Sequence, residues 1–76
     1  MSDIEWLRNF GNTLNEILEY TNTSREELAD ILGMSQATIS RYINGLQMPD
    51  IRTVLLIAHE FDWHVDDLVN FGDEVF

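Results

Sequence analysis

The 76-residue chain has no cysteine and no lysine. Without thiols it can form neither a disulfide framework nor a thiolate metal site, so its core stands on packing alone. It has one proline and four glycines, and no linker, repeat or low-complexity tract divides it. Alternating apolar and polar runs of the strand type are absent. The longest unbroken apolar run is Val54 to Ala58, far short of the roughly 20 residues that cross a bilayer. No basic segment followed by an apolar stretch opens the chain, so no secretory signal is expected. A cytoplasmic protein with no membrane association is the expectation. Size excludes large doubly wound, barrel and sandwich folds and leaves little room for a deep substrate cleft. Positive charge is scarce: four arginines stand against 14 acids, for a net charge of −10. With 45% apolar and 24% charged residues, the composition is that of a globular domain.

What is present is helical periodicity. Ile4, Leu7, Phe10, Leu14, Ile17 and Leu18 recur every three or four residues, one stripe of an amphipathic helix from about residue 3 to 20. Ser2 and Glu5 have capping-box spacing at its start. Gly11 lies inside this helix, where it costs about 1 kcal/mol relative to alanine; a close helix crossing there would explain it. A second capping box, Ser24 to Glu27, opens a short helix to Leu32 with Leu28, Ala29 and Leu32 inward, and Gly33 suits its left-handed end. Only Met34 then precedes Ser35, an N-cap for a third helix from Gln36 to about Asn44, which Gly45 closes. Two short helices joined so tightly must cross steeply, as in a helix-turn-helix. After the connector Leu46 to Pro49, Asp50 caps a fourth helix to about Phe61, with Val54, Leu55, Ile57, Ala58 and Phe61 as its apolar set. A fifth short helix is expected over Val65 to Val69. The chain divides into a domain over residues 1–70 and a short tail over 71–76.

Charge is segregated along the chain. Residues 1–30 carry seven acids and two arginines, and residues 50–76 carry seven acids and one arginine. Residues 31–49 carry no acid and one arginine. That window spans the turn, the third helix and the connector. A surface that meets nucleic-acid phosphates must be cleared of carboxylates. Arg25 and Arg52 fall in the first turns of the second and fourth helices, where free amides favour phosphate. On the third helix, Ile39 and Tyr42 point inward, while Gln36, Ala37, Ser40, Arg41 and Asn44 share the other side. Glutamine pairs with adenine and arginine with guanine in the major groove, and alanine touches a thymine methyl. Ser40 and Asn44 have the reach for phosphates.

The run Ser24-Arg25-Glu26-Glu27-Leu28-Ala29, then Leu32-Gly33-Met34-Ser35-Gln36-Ala37-Thr38-Ile39-Ser40-Arg41-Tyr42-Ile43-Asn44-Gly45, then Pro49 and Leu55-Leu56-Ile57-Ala58, resembles the phage-repressor and Cro type of helix-turn-helix, the XRE family. The resemblance covers about residues 4–69. It implies an all-α, five-helix, lambda-repressor-like domain whose third helix is the recognition helix, and it implies sequence-specific binding of double-stranded DNA. Gln36, Ala37 and Arg41 fall on the family's base-reading positions. Arg25, Ser35, Ser40 and Asn44 fall on positions that touch backbone. The chain departs from the pattern in four places. Arg25 replaces a glutamine, Ile43 a glutamate, Asp62 a glycine, and His64 a capping serine or threonine. Aspartate tolerates the left-handed conformation that the glycine position takes. The net charge is a larger departure, since DNA-binding domains are mostly basic or neutral.

Two functions remain open. One is a nucleoid-associated transcription regulator, a repressor that binds an inverted repeat as a homodimer. The other is a protein-interaction module on the same fold: an antitoxin, an antirepressor-like partner or an acidic mimic of DNA. A mimic needs carboxylates on the outer face of the third helix, and its sequence has none there. The candidate pairing surface is Leu56, Trp63, Val65, Val69, Phe71, Val75 and Phe76, more apolar surface than so small a bundle easily hides. The alternative for Phe71, Val75 and Phe76 is to fold back over their own core. No catalytic constellation or phosphate loop is present, so neither an enzyme nor a cofactor is expected. His59 and His64 with Asp62 and Asp66 straddle a helix end and make a poor metal site. Paired acids such as Glu26-Glu27 and Asp66-Asp67 sit in first turns, where the helix dipole favours them.

Overall fold

Four helices and no strand make up residues 3–63, the part of the chain that the computed structural model describes. They are α1 (Asp3–Thr21), α2 (Arg25–Leu32), α3 (Gln36–Ile43) and α4 (Ile51–Glu60). The expected fifth helix over Val65 to Val69, the tail over 71–76 and the Ser2 cap lie outside the described residues.

The stripe of α1 supplies Phe10, Leu14, Ile17 and Leu18 to the core. Leu28 and Ala29 of α2, Ile39 and Tyr42 of α3, and Val54, Ile57 and Ala58 of α4 complete it. α1 packs on α3, and α2 packs on both α3 and α4. The stripe differs from the expected one at its head. Ile4 is 64% exposed, and Trp6, one turn before Phe10, packs on the core instead. Trp6 stacks on Phe10 with centroids 5.5 Å apart, and Phe10 meets Tyr42 edge-on at 6.2 Å. Leu55 is also not in the core and is 50% exposed. The inward arc of α4 is set by Val54, Ile57, Ala58 and Phe61 at i, i+3, i+4 and i+7. Leu55, one step from Val54, is rotated by about 100° off that arc.

Each boundary has a local cause. α1 ends as Asn22 turns left-handed at φ 56°, and the Thr21 hydroxyl donates to the Ile17 carbonyl at 2.8 Å. The α2 capping box is complete: Glu27 N–H donates to Ser24 Oγ, and Ser24 N–H donates to the Glu27 carboxylate, each at 3.0 Å. Gly33 takes φ 68° and closes α2. Ser35 Oγ caps α3 by accepting from Thr38 N–H at 3.2 Å. Asp50 caps α4 by accepting from Thr53 N–H at 2.8 Å. That bond, then the Thr53 hydroxyl and the Arg52 charge, hold the Asp50 carboxyl below the usual aspartate range. After α4, Asp62 takes φ 56° in the place expected of it, and Trp63 N–H reaches back to the Ala58 carbonyl at 2.8 Å.

Gly11 is buried where α1 crosses the end of α3. A Cβ built there would lie 2.6 Å from the Tyr42 carbonyl oxygen and 2.9 Å from the Ile43 carbonyl carbon. The propensity cost of this glycine therefore admits a backbone-on-backbone contact that fixes where α3 sits.

Candidate nucleic-acid interface

The α2–α3 turn sets the outer face of α3 in the open. Gln36, Ala37, Arg41 and Asn44 are exposed, Ser40 is half-buried, and Ile39 and Tyr42 are buried on the opposite side. This is the two-faced helix that the apolar spacing required. Thr38, one turn before Arg41, lies half-buried between the faces.

Two cross-links tie the first turn of α2 to this face. Arg25 Nη1 donates to Ser40 Oγ at 3.1 Å, and Gln36 Nε2 donates to Glu26 Oε2 at 3.2 Å. The first places a cation beside the middle of α3, where it can serve a phosphate that also meets Ser40. The second corrects the expectation of a face without carboxylates. The α3 sequence carries no acid, yet the fold brings the Glu26 carboxylate from α2 to its edge. Because the partner is a carboxylate, the amide of Gln36 is oriented with its nitrogen toward Glu26. The Gln36 carbonyl oxygen and one remaining N–H are left to pair outward, one acceptor and one donor, the set that adenine requires.

Arg41 is held on two sides. Its Nε donates to Gln47 Oε1 at 2.7 Å and its Nη2 to Thr38 Oγ1 at 3.1 Å. Thr38 Oγ1 lies 3.0 Å from the Ser35 hydroxyl, so the capping serine is part of the same network. Asn44 ends α3, with its N–H donating to the Ser40 carbonyl at 2.9 Å. Arg52 stands in the first turn of α4, two residues after the capping Asp50, and its charge is the smallest of the influences on the Asp50 carboxyl.

Of the residues expected from sequence, Gln36, Ala37, Arg41, Ser35, Ser40, Asn44 and Arg25 thus belong to α3, to its two caps or to the α2 turn bonded to it. Arg52 belongs to a separate helix end. Of the expected pairing surface, Leu56 is 39% exposed and Trp63 is half-buried against the core. Val65, Val69, Phe71, Val75 and Phe76 lie outside the described residues. Three residues went unrecognised in the sequence: Glu26, Thr38 and Gln47. Thr38 was legible in principle, since it is three residues before Arg41 on one helix. Glu26 and Gln47 reach their partners only through the turns at Gly33 and Gly45.

Among the described residues no group of three or more His, Asp or Glu gathers in metal-binding fashion. No helix among them is long and apolar enough to cross a membrane. No curated protein shows significant similarity to the chain. A family model described as helix-turn-helix matches residues 14–68, which takes in the end of α1, all of α2 to α4 and the first residues beyond. That match, with which the arrangement of α2 and α3 agrees, places the chain in the XRE family of Cro/CI-like helix-turn-helix proteins, a family of DNA-binding transcription regulators.

Proposed function

We propose that the chain is a transcription repressor that binds an inverted DNA repeat as a homodimer in the cytoplasm. α3 lies in the major groove. Gln36 reads adenine, Arg41 reads guanine and Ala37 touches a thymine methyl. Arg25, Ser35, Ser40, Asn44 and, more weakly, Arg52 meet the backbone. Binding alone is the activity, with no catalytic step and no cofactor. The observation that carries this reading is the outer face of α3, which presents Gln36 and Arg41 exposed and steadied by neighbours. Pairing uses Leu56, Trp63 and the apolar residues after them. Ile51 and Leu55 add exposed apolar surface on the same helix as Leu56.

The net charge of −10 and the Glu26 carboxylate favour a second reading, a module that binds a basic protein partner. One experiment separates the two. Selection of bound duplexes from a random pool should enrich an inverted repeat with half-sites about one helical turn apart. A pool that stays random through successive rounds would favour the protein-partner reading.

A further inference from the structure

We propose that Gln47 is a positioning residue that fixes the guanidinium of Arg41 for one way of reading a base. The proposal rests on the reading of Arg41 as a base-contacting residue. Gln47 is in the connector after α3, three residues beyond Asn44, which caps the end of the helix. It is carried back toward α3 because Gly45 takes φ 71° and Leu46 N–H donates to the Arg41 carbonyl at 2.8 Å. The backbone of Arg41 and its side chain are therefore both bonded to the same short connector. Gln47 is half-buried while Arg41 is exposed, so the glutamine is the better anchored of the two.

The bonds are selective within the guanidinium. An arginine has five N–H donors in a rigid fork. The Nε donor goes to Gln47 and one Nη2 donor goes to Thr38, which occupies the side edge of the fork. Three donors remain: both on Nη1 and one on Nη2. One from each nitrogen forms the parallel end pair that fits guanine O6 and N7. A free arginine at this position would sample several rotamers and offer either edge, and binding would have to freeze it. With the side edge occupied, only the end-on approach is left and part of the ordering is already done. Gln47 then sharpens the choice of base without touching DNA.

The test measures binding of the full chain to its selected duplex, to that duplex changed at each base pair in turn, and to random duplex. Gln47→Met keeps the length of the side chain and removes the acceptor. It should lower discrimination roughly three- to tenfold at the base pair that Arg41→Ala identifies, the scale of freezing one long side chain. Binding to random duplex should not change. Gln47→Glu keeps the acceptor and adds a charge, so discrimination at that base pair should persist while affinity for every duplex falls. In the DNA-free protein, the Arg41 Nε–H resonance should exchange slowly with water in the wild type and in Gln47→Glu, and rapidly in Gln47→Met. If Gln47→Met keeps full discrimination where Arg41→Ala loses it, the positioning role is wrong and the base-reading role stands. If Arg41→Ala itself leaves every base preference intact, both are wrong.

Discussion

Replacing Gly11 by alanine should destabilise the protein, against the usual direction of that change in a helix. In an ordinary helix interior the substitution gains about 1 kcal/mol from propensity. Here the new methyl would lie 2.6 Å from the Tyr42 carbonyl oxygen and 2.9 Å from the Ile43 carbonyl carbon, and closer still to the Ile43 oxygen. Separations below 3.0 Å are ones that real Cβ atoms essentially never show. The obstructing atoms are backbone, so no side-chain rotamer can yield. α1 and the end of α3 must part, which strains contacts such as that between Phe10 and Tyr42. Overpacking costs about 1–3 kcal/mol and more where nothing gives way, so a net loss of about 2 kcal/mol is expected. For a domain of this size that is a fall in Tm on the order of 10 °C. Gly33→Ala is the control. It meets no atom within 4 Å and carries only the strain of φ 68°, about 1 kcal/mol. Thermal unfolding followed by helical circular dichroism reads both. A Tm of Gly11→Ala equal to or above that of the wild type would refute the close crossing, and with it the placement of α3.

Three further outcomes follow from charge and capping. Glu26→Gln removes a carboxylate from the edge of the interface, so affinity for random duplex should rise severalfold in a fluorescence-anisotropy titration; unchanged affinity would place Glu26 away from the DNA. With Arg25 and, more weakly, Arg52 as the cationic phosphate partners, the logarithmic salt slope should be shallow, no steeper than about −2 per subunit. A slope like that of a protein with ten phosphate contacts would mean that the assignment of cations is wrong. The Asp50 carboxyl is held below the usual value of 3.8, so its stabilising effect is complete above that value and is lost as pH falls through the lowered one. The stability advantage of the wild type over Asp50→Asn in urea unfolding should therefore shrink below about pH 3.8; an advantage that grows on acidification would contradict the cap.

The parts of this fold that sequence made legible are those set by short-range rules. Ser24 with Glu27, Ser35, Gly33 and Asp50 each announced a helix boundary, because caps and left-handed positions are decided within four or five residues; the left-handed place of Asp62 came from the family resemblance. The buried faces of α2 and α3 followed from spacing, since Leu28, Ala29, Ile39 and Tyr42 have no other surface to share. Spacing put Ile4 rather than Trp6 on the stripe and Leu55 in the apolar set of α4, and the fold overturned both, because a stripe of that width is consistent with several rotations and only the neighbouring helices choose one. The interface divides in the same way. Gln36, Ala37 and Arg41 were legible as the polar side of a helix that lacks carboxylates. Glu26 and Gln47 were not, because each meets its partner only after the chain has turned at a glycine. The acid-free window in the sequence was thus a guide to α3 and not to the whole surface around it.

On the reading proposed here, the outer face of α3 reads bases through Arg41. The most direct test of that role is the binding of wild type and Arg41→Ala to the selected duplex, its single-base variants and random duplex at one salt concentration. Arg41→Ala should lose roughly 1–3 kcal/mol on the selected duplex, relax preference at a single base pair, and lose much less on random duplex. An equal loss on selected and random duplexes would contradict that role, and would make Arg41 one more phosphate contact.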